Sequence, residues 1–387
     1  MKKIKQVGII NFQYSDHNYG AVLQAAALEN VLKNKGFIVK HIDYISSPEI
    51  KINPFSVAKK LSKKIGLTKL IKTILGKKII IKHDVSNNQV FEDFRKAWIN
   101  RTKRFDSLEC LQNEKLEFDA VIVGSDQVWR PTMYNRRNDY KVYFLSFLPS
   151  MPSTCKKISY AASFGVDYWE ITDKFVTSDI ANLVHDFDAV SVREESGISI
   201  CKTIFQKESS HVLDPTLLAG KDFFDGIIAS EVKIDSTPKQ IVYYKLDVDH
   251  TFTSNIEQFG LFNNKTVTNI YYNRIENRFA YYTVGQWLSN IKESEIIITD
   301  SFHCVCFCIL YHKDFICCVN ESRGLSRLKS LLTMLGIEDR ICSSDDNFID
   351  TYKKMRPINY TEVDAILSNE RVLSEEFLMD SLRDKID

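Results

Sequence analysis

The first forty-five residues alternate between two kinds of local pattern, and this alternation is the strongest constraint on the fold. The apolar run VGIINF (7–12) is followed by polar turn residues. Next comes a helix-spaced stretch, AVLQAAALENVLKNKG, in which Gly36 is a plausible stop. FIVKHIDYI then has the composition of a strand. The order strand, turn, helix, strand predicts an α/β fold built on a parallel sheet.

The same alternation continues along the chain in two series. Further strands of the first series are predicted in FDAVIVGS, KKISYAASFG, FDAVSVREESG and HVLDPTLL, where Pro215 is expected to interrupt any helix. A second series begins near residue 239 and contains QIVYYKL, TVTNIYY, EIIITDSFH and DFICCVN. Two Rossmann-like domains in series would face each other across a cleft, with ligands at the carboxyl ends of the strands.

The chain length of 387 residues also favours two domains. The predicted N-terminal domain spans 1–218 and carries a basic insertion near 55–85. A linker follows at 219–238, then a C-terminal domain at 239–360 and a helical cap at 361–387. Lys and Arg (51) nearly balance Asp and Glu (50), so the net charge argues neither for a nucleic-acid partner nor for an acidic one, and no nucleic acid is expected. With no signal-peptide pattern, the nine cysteines indicate reduced thiols and a cytoplasmic protein.

Polar side chains cluster directly after predicted strands. In VIVGSDQVW, Asp126, Gln127 and Trp129 offer hydrogen-bond acceptors, donors and an apolar platform suited to a sugar ring. Asp16 and Asn18 lie in a turn before a helix, where backbone amides attract anions or hydroxyl groups. A simple turn with an N-cap explains this second group equally well.

A further cluster follows the run EIII, where Asp300, Ser301 and His303 stand at a strand end. Histidine there could donate a proton or, when charged, contact a phosphate. Arg193 follows AVSV in a similar position, and Arg323 lies beyond the next strand. Each arginine alone could form a surface ion pair, but as a set at strand ends they indicate an anionic substrate.

Two other patterns suggest a metal and are set aside. The cysteines in HCVCFC and ICCV lack the paired C-x-x-C spacing of zinc sites, and cysteine is a common buried residue. LDVD (246–249) resembles the Asp-x-Asp of sugar-nucleotide transferases, but no G-x-G-x-x-G fingerprint accompanies it. The expectation is therefore that no metal or bound cofactor is required.

The segment 58–83 contains nine lysines and no acidic residue, with Leu and Ile at roughly helical spacing. A basic amphipathic helix of this kind rests on anionic membrane surfaces, here the inner face of the plasma membrane. A solvated insertion is an equally good interpretation. The apolar runs are too short to span a bilayer.

The set NYGAVLQAAAL, VIVGSDQVW, ISYAASFG, VSVREESG, VLDPTLL and ITDSFHCVCFCILYHKDF resembles the polysaccharide pyruvyl transferase family. The resemblance runs in order from about residue 8 to about residue 340 and implies a GT-B-like fold. It also implies transfer of pyruvate from phosphoenolpyruvate, a co-substrate, to a sugar of a surface polysaccharide or its lipid-linked precursor.

Site roles follow from the resemblance residue by residue. His303 matches the family's donor-site histidine and is the expected catalytic residue together with Asp126. Arg193, Arg323, Ser301 and His303 would bind the donor, and Asp16, Asn18, Asp126, Gln127 and Trp129 the acceptor. Some members have Arg-Leu before the histidine, where this chain has Ser301 and Phe302. Two alternatives stay open: a GT-B glycosyltransferase that uses a nucleotide sugar, and an inactive glycan-binding protein.

Overall fold

The structure is a computed structural model, which describes residues 5–46, 80, 81, 83–135, 137–148, 155–232, 239–275, 278–319, 325–343 and 345–383. Arg323 and nearly all of the lysine-rich segment (58–79 and Lys82) lie outside these residues. The predictions made for them stay predictions.

The described strands form three sheets. Their bounds are β1 Gln6–Ile10, β2 Ile38–Tyr44, β3 Val85–Ser86, β4 Arg101–Phe105, β5 Ala120–Val123, β6 Lys156–Ala162, β7 Ala189–Val192, β8 Ser210–His211, β9 Lys239–Tyr244, β10 Val267–Asn269, β11 Tyr272–Ile275, β12 Arg278–Tyr281, β13 Ser294–Thr299, β14 Asp314–Val319 and β15 Ile341–Ser343.

The described helices lie mainly between consecutive strands. They are α1 Tyr19–Asn34, α2 Gln89–Trp98, α3 Leu108–Asn113, α4 Tyr140–Tyr143, α5 Lys174–His185, α6 Glu195–Ile204, α7 Pro215–Ala219, α8 Lys221–Glu231, α9 His250–Asn263, α10 Val284–Lys292, α11 Phe302–Leu310, α12 Leu325–Met334, α13 Phe348–Lys354 and α14 Tyr360–Leu382.

Two parallel sheets confirm the predicted fold class of two Rossmann-like α/β domains in a GT-B-like arrangement. The first sheet has the order β4-β2-β1-β5-β6-β7-β8, and the second has the order β10-β9-β13-β14-β15. Neighbouring strands pair in parallel throughout both. Buried on both faces, such strands read as apolar runs, which is why the sequence revealed them. A small third sheet joins β3 to the hairpin β11–β12.

Helix α1 lies between the two domains and joins their cores. Nearly all of its side chains are buried, as expected for a helix that contacts protein on every side. Its Tyr19 ring stacks on Trp287 of α10, with ring centroids 4.9 Å apart. The Tyr19 hydroxyl also donates hydrogen bonds to the carbonyl groups of Tyr271 and Tyr282. The domains therefore share one apolar core beside the cleft.

Two local features of the connection between the domains differ from what the sequence pattern suggests. Pro215 does not interrupt a helix: it occupies the first turn of α7, where its missing N–H is not needed. The segment 219–238, predicted as a linker, contains α8, whose Phe224 and Ile227 are buried in the shared core. Phe224 and Ile227 are three residues apart and give this helix its buried face. The polar residues around them hide this spacing in the sequence.

The C-terminal helix α14 returns from the second domain to the first. Near its start, the Tyr360 hydroxyl donates a hydrogen bond to the carbonyl of Lys313. Near its end, Leu378 and Leu382 pack in the core formed by β1 and β5. Among the described residues, no helix has the length and apolarity needed to cross a membrane.

His41 on β2 is a buried histidine that links stability to pH. Burial, and then the charges of Lys33 and Arg101, lower the pKa of His41 to about 3 from an ordinary 6.5. Below pH 6.5, His41 therefore binds a proton in the unfolded chain but stays neutral in the folded chain. We expect this group to reduce the free energy of unfolding by about 1.4 kcal/mol per pH unit as the pH falls from 6.5 toward 3.

Chemical denaturation of the wild type and of His41→Leu across this pH range measures the effect. The His41→Leu protein should lack this component of the slope, so the wild type should lose stability relative to the variant as the pH falls. Val39→Ile, a replacement at another buried position of β2 that removes no titratable group, is the matched control and should keep the wild-type slope. Parallel curves for the wild type and His41→Leu would contradict the prediction.

Candidate functional site

The carboxyl ends of the two parallel sheets meet at a cluster of buried polar side chains. Asp126 follows β5, Arg193 follows β7, and Asp214 precedes α7 in the first domain. His303 comes from the first turn of α11, which follows β13 in the second domain. Parallel sheets carry ligand sites at this edge, so the cluster is the candidate active site.

The turn after β5 aims Asp126 into the cluster. A Cβ atom on Gly124 would lie 2.0 Å from the carbonyl oxygen of Tyr160, so only glycine allows this close approach. The Asn11 side chain donates a hydrogen bond to the Gly124 carbonyl at 3.1 Å. Asp126 itself has a φ of 70°, a left-handed conformation that aspartate tolerates better than most residues.

Arg193 is the central cation of the cluster. Its terminal nitrogens donate to Asp214 Oδ2 at 2.6 Å and to Asp126 Oδ1 at 3.1 Å. Burial alone would lower the pKa of Arg193, but the two carboxylates raise it above its ordinary value. For Asp126, burial alone would raise the pKa, but the charge of Arg193, and then those of His303 and Arg327, hold the pKa below its usual range. Asp126 is therefore ionised.

Asp214 is a further residue of the cluster that was not predicted from the sequence. Its Oδ1 caps α7 by accepting from the Thr216 backbone N–H at 3.0 Å. Its Oδ2 accepts from Ser125 Oγ at 2.9 Å as well as from Arg193. Burial would raise the pKa of Asp214, but His303 and Arg193 hold it far below its usual range. The available signal in the sequence is an Asp directly before a Pro, a pattern typical of a helix start.

His303 reaches the first domain across the cleft. Its Nε2 lies 3.5 Å from Asp214 Oδ2 and 3.4 Å from a terminal nitrogen of Arg193. Its ring lies on the backbone of Gly20 in the first turn of α1, where a Cβ atom would come within 2.2 Å of Nδ1. Ser301 caps α11 by accepting from the Cys304 N–H at 3.4 Å. The structure thus brings His303 together with Asp126 and Arg193, as their positions at strand ends predicted.

Asp300 anchors the turn that carries His303. Its Oδ2 accepts from Lys245 Nζ at 3.2 Å, and its Oδ1 accepts from the backbone N–H of Leu246. Both partners lie at the end of β9, the neighbouring strand. Burial alone would lower the pKa of Lys245, but Cys318 and Asp300 raise it overall. The pair fixes the β13–α11 turn to the sheet.

Phe302, one of the two residues that depart from the resembled pattern, supports two arginines. Its ring centroid lies 4.4 Å from the guanidinium carbon of Arg193 and 5.9 Å from that of Arg327. Arg327 on α12 also lies 3.9 Å from Asp126 Oδ1. Burial, and then the charge of Arg193, lower the pKa of Arg327 to about 10. The sequence offered no signal for Arg327 beyond its position four residues after Arg323.

The structure corrects the expected role of Trp129. Its indole is completely buried, stacks on Phe144 at 5.1 Å, and donates its N–H to the Tyr143 carbonyl. A side chain without exposed surface cannot serve as a platform for a sugar ring, so Trp129 is a core residue. The error arose because an indole near a strand end has the same sequence signature in either role.

The remaining predicted acceptor residues lie near the cluster and differ in their exposure and in their hydrogen-bond partners. Gln127 accepts a hydrogen bond from Arg130 through Oε1 at 3.1 Å. Asp16 is half exposed and forms an ion pair with Arg95 at 2.7 Å. Asn18 caps α1 by accepting from the Ala21 N–H at 3.4 Å, which agrees with the simpler interpretation of that turn.

Among the described residues, no group of three or more His, Cys, Asp and Glu side chains could hold a metal ion. Cys304, Cys306 and Cys308 are buried in α11, and Cys317 and Cys318 are buried in β14. Asp249 of the LDVD segment caps α9 by accepting from the Phe252 N–H at 2.8 Å. These residues are accounted for by packing and capping.

The arrangement can hold an anion and a hydroxyl group side by side. Arg193 and Arg327 supply positive charge, His303 adds to it when protonated, and the N-terminus of α11 contributes backbone amides and the positive end of its helix dipole. Ionised Asp126 supplies an acceptor for a hydroxyl hydrogen. The residues of such a site come from both domains, so the site is complete only when the two domains are packed together.

The chain resembles several solved structures at low identity. They are UDP-GlcNAc 2-epimerase from Neisseria meningitidis (9% identity, TM-score 0.48, 97% of this chain and 100% of that one), UDP-GlcNAc 2-epimerase from Methanocaldococcus jannaschii (11%, 0.47, 96% and 99%) and UGT71G1 from Medicago truncatula with UDP-glucose (9%, 0.48, 98% and 98%). These likenesses are too weak to bear on function. A comparison with curated proteins gave no match.

A family comparison is decisive where the structural neighbours are not. The sequence model described as polysaccharide pyruvyl transferase matches residues 18–322, which is most of the chain. The matched range contains Gly20, Asp126, Arg193, Asp214 and His303, the residues that meet in the cleft. The chain belongs to the polysaccharide pyruvyl transferase family.

Proposed function

We propose that the protein transfers pyruvate from phosphoenolpyruvate to a sugar of a surface polysaccharide or its lipid-linked precursor, forming a ketal and releasing phosphate. The observation that carries this proposal is the meeting of His303 with Asp126, Asp214 and two arginines between the domains. Such a site offers fixed positive charge to a donor and an ionised acceptor to a sugar hydroxyl in one place.

The donor needs several fixed cations because it carries a phosphate and a carboxylate. Arg193, Arg323, Ser301 and His303 are proposed for this role from the sequence, and the geometry adds Arg327. Arg193 is turned inward, with both terminal nitrogens on carboxylates, so it acts mainly by holding Asp126 and Asp214 in place. The phosphate is then best met by Arg327, by His303 and by the N-terminus of α11.

The acceptor sugar is proposed to contact Asp126 and Gln127, with Asp16 and Asn18 at the edge of the same site. Asp126 orients the attacking hydroxyl by accepting its hydrogen bond, because its lowered pKa makes it a weak base. Trp129 takes no part because it is buried. Which sugar binds is decided by groups beyond these contacts.

The reaction balances without a further reactant. The methylene carbon of phosphoenolpyruvate gains a proton, and the first sugar hydroxyl forms a C–O bond to the adjacent carbon. The bond from that carbon to the phosphate oxygen then breaks, and the second hydroxyl takes its place. One hydroxyl proton ends on the new methyl group and the other on phosphate. Protonated His303 serves as the acid or holds the departing phosphate.

Phosphate release measured with a panel of nitrophenyl and lipid-linked sugars tests the proposal. Release that requires both phosphoenolpyruvate and a sugar supports it, and mass spectrometry of the product should show the added pyruvate. Turnover of a nucleotide sugar instead would make the protein a glycosyltransferase. Glycan binding with no turnover of either donor would make it a binding protein.

Contact with an anionic membrane is proposed on the sequence of 58–83 alone. Sedimentation with anionic liposomes at low and high salt tests it, because binding through lysines should weaken as salt rises. No sedimentation at either salt concentration would leave this segment as a solvated insertion.

Replacing Arg327 with glutamine is expected to raise the KM for phosphoenolpyruvate roughly 10- to 100-fold, because one charge-assisted hydrogen bond contributes about 1.5–3 kcal/mol. The free energy of unfolding should stay the same or rise, since the lowered pKa shows that this charge is disfavoured in the free protein. Steady-state kinetics and chemical denaturation measure the two effects. Lys329→Gln is the matched control, an exposed lysine on the same helix. An unchanged donor KM in Arg327→Gln would remove Arg327 from the donor site.

A further inference from the structure

A polar cavity of about 780 Å³ lies in the first domain, apart from the His303 cluster. It lies between α1, α2 and the edge strand β4, and it is open to solvent. Its volume falls within the range of about 300–1,000 Å³ typical of small-molecule sites. The residues that shape it include Glu29, Asp43, Glu92, Trp98, Arg101 and Arg104. No step of the proposed reaction uses them.

The charged groups of this cavity are held in fixed positions by one another. Glu92 accepts from Arg101 at 2.7 Å, and Asp43 accepts from Arg104 at 3.2 Å. Buried Glu29 pairs with Lys33 at 2.5 Å and accepts from the Asn100 backbone N–H at 3.0 Å. Side chains fixed in this way lose little conformational entropy when they bind a ligand. The cavity is therefore organised before any ligand arrives.

The lining selects the chemical class of the ligand. Carboxylates alternate with guanidinium groups, so the wall offers hydrogen-bond acceptors and donors at short intervals, and the nearly balanced charges give a polyanion no advantage. An apolar ligand would remove water from these charged pairs without replacing its hydrogen bonds. Trp98 adds an aromatic ring to the wall, partly exposed and packed against Phe223 at 5.8 Å. A saccharide matches this combination, because its ring carries many hydroxyl groups and has an apolar C–H face that packs on an aromatic ring.

Two contacts connect the cavity to the candidate active site. Gln13 Nε2 donates to Asp43 at 3.0 Å, and Gln13 follows β1 by three residues. Arg95 on α2 donates to the Ser15 carbonyl and to Asp16, in the turn before α1. The same helix α1 forms one wall of the cavity and carries Gly20 beneath His303. Six residues separate Gly20 from Ala26 in that wall, about 9 Å along the helix.

We propose that this cavity binds a second saccharide unit of the acceptor glycan, distinct from the sugar that receives pyruvate. The proposal rests on the proposed function for its choice of glycan, since a polysaccharide or its lipid-linked precursor can carry further sugars beside the one that receives pyruvate. Binding in the cavity holds the glycan on the first domain, while the terminal sugar of that glycan lies at Asp126. Longer acceptors therefore bind more tightly than the single sugar.

Ala97→Trp provides the test because Ala97 lines the cavity, is exposed, and makes none of its ion pairs. The acceptors are the nitrophenyl monosaccharide that supports phosphate release and an oligosaccharide of at least four units ending in that sugar. The variant should raise KM for the oligosaccharide about tenfold and leave kcat and the monosaccharide KM unchanged. Gln89→Trp, an exposed position of α2 outside the lining, is the matched control and should behave as wild type.

A titration of tryptophan fluorescence with the same oligosaccharide, without phosphoenolpyruvate, reads the cavity independently of turnover. Saturable binding that Ala97→Trp weakens and Gln89→Trp preserves supports the cavity. If no sugar supports phosphate release, the proposed function fails, and the titration with a panel of oligosaccharides still decides the cavity. Equal oligosaccharide KM values or equal binding in Ala97→Trp and Gln89→Trp would overturn the inference.

Discussion

Replacing His303 with glutamine is expected to reduce kcat for phosphate release from phosphoenolpyruvate by roughly 100- to 10,000-fold, the range for loss of a positioned acid or base. Glutamine keeps a hydrogen-bond donor near Asp214 but can neither carry charge nor transfer a proton. The imidazole lies against Gly20 and within 3.5 Å of Asp214, so its position depends on both domains. Steady-state kinetics with saturating donor and acceptor measure the loss.

The control for His303→Gln is His312→Gln, two residues beyond the other end of α11. His312 is half exposed, pairs with Asp364, and lies away from the cluster, so its replacement should leave kcat unchanged. Circular dichroism and thermal unfolding should show that both variants are folded. A folded His303→Gln protein that keeps wild-type kcat would show that His303 is a structural residue and that the acid lies elsewhere.

Replacing Gly20 with alanine is expected to abolish most activity, although neither glycine nor alanine at position 20 would touch a substrate. The added methyl group would lie 2.2 Å from Nδ1 and 2.5 Å from Cγ of His303, which is too close for any real contact. His303 is buried and ringed by neighbours, so relief requires displacing the imidazole or separating α1 from α11. We expect kcat to fall at least 100-fold, because small displacements of a catalytic group have effects of this order. Stability should fall by about 1–3 kcal/mol, as for other overpacked sites.

A double variant separates the steric clash from damage to the helix. Alanine is a better helix former than glycine by up to about 1 kcal/mol, so Gly20→Ala should be neutral or stabilising once the imidazole is gone. In the His303→Gly background, the whole side chain is gone, including the Cβ atom that would lie 2.7 Å from the added methyl group, so Gly20→Ala should no longer destabilise the protein. Chemical denaturation of the four proteins in this cycle measures the coupling. The same destabilisation by Gly20→Ala in both backgrounds would show that the clash is absent.

The sequence by itself determined the class of the fold and the edge at which the site lies. Strands such as β5 and β13 are buried on both faces, so they appear as uninterrupted apolar runs, and the helices between them restrict the sheets to parallel order. Side chains that directly follow such strands must lie at the carboxyl edge. Asp126, Arg193 and His303 could therefore be placed together from local patterns alone.

Only the tertiary structure decided which side chains face the site and which are buried away from it. Trp129 and Asp126 are three residues apart, yet one packs in the core and the other enters the cluster, because the turn at Gly124 fixes their directions. Asp214 and Arg327 became site residues through contacts with Asp126, Arg193 and His303, which are distant in sequence. Backbone direction and long-range contact depend on how the domains pack, and no local pattern of residues records them.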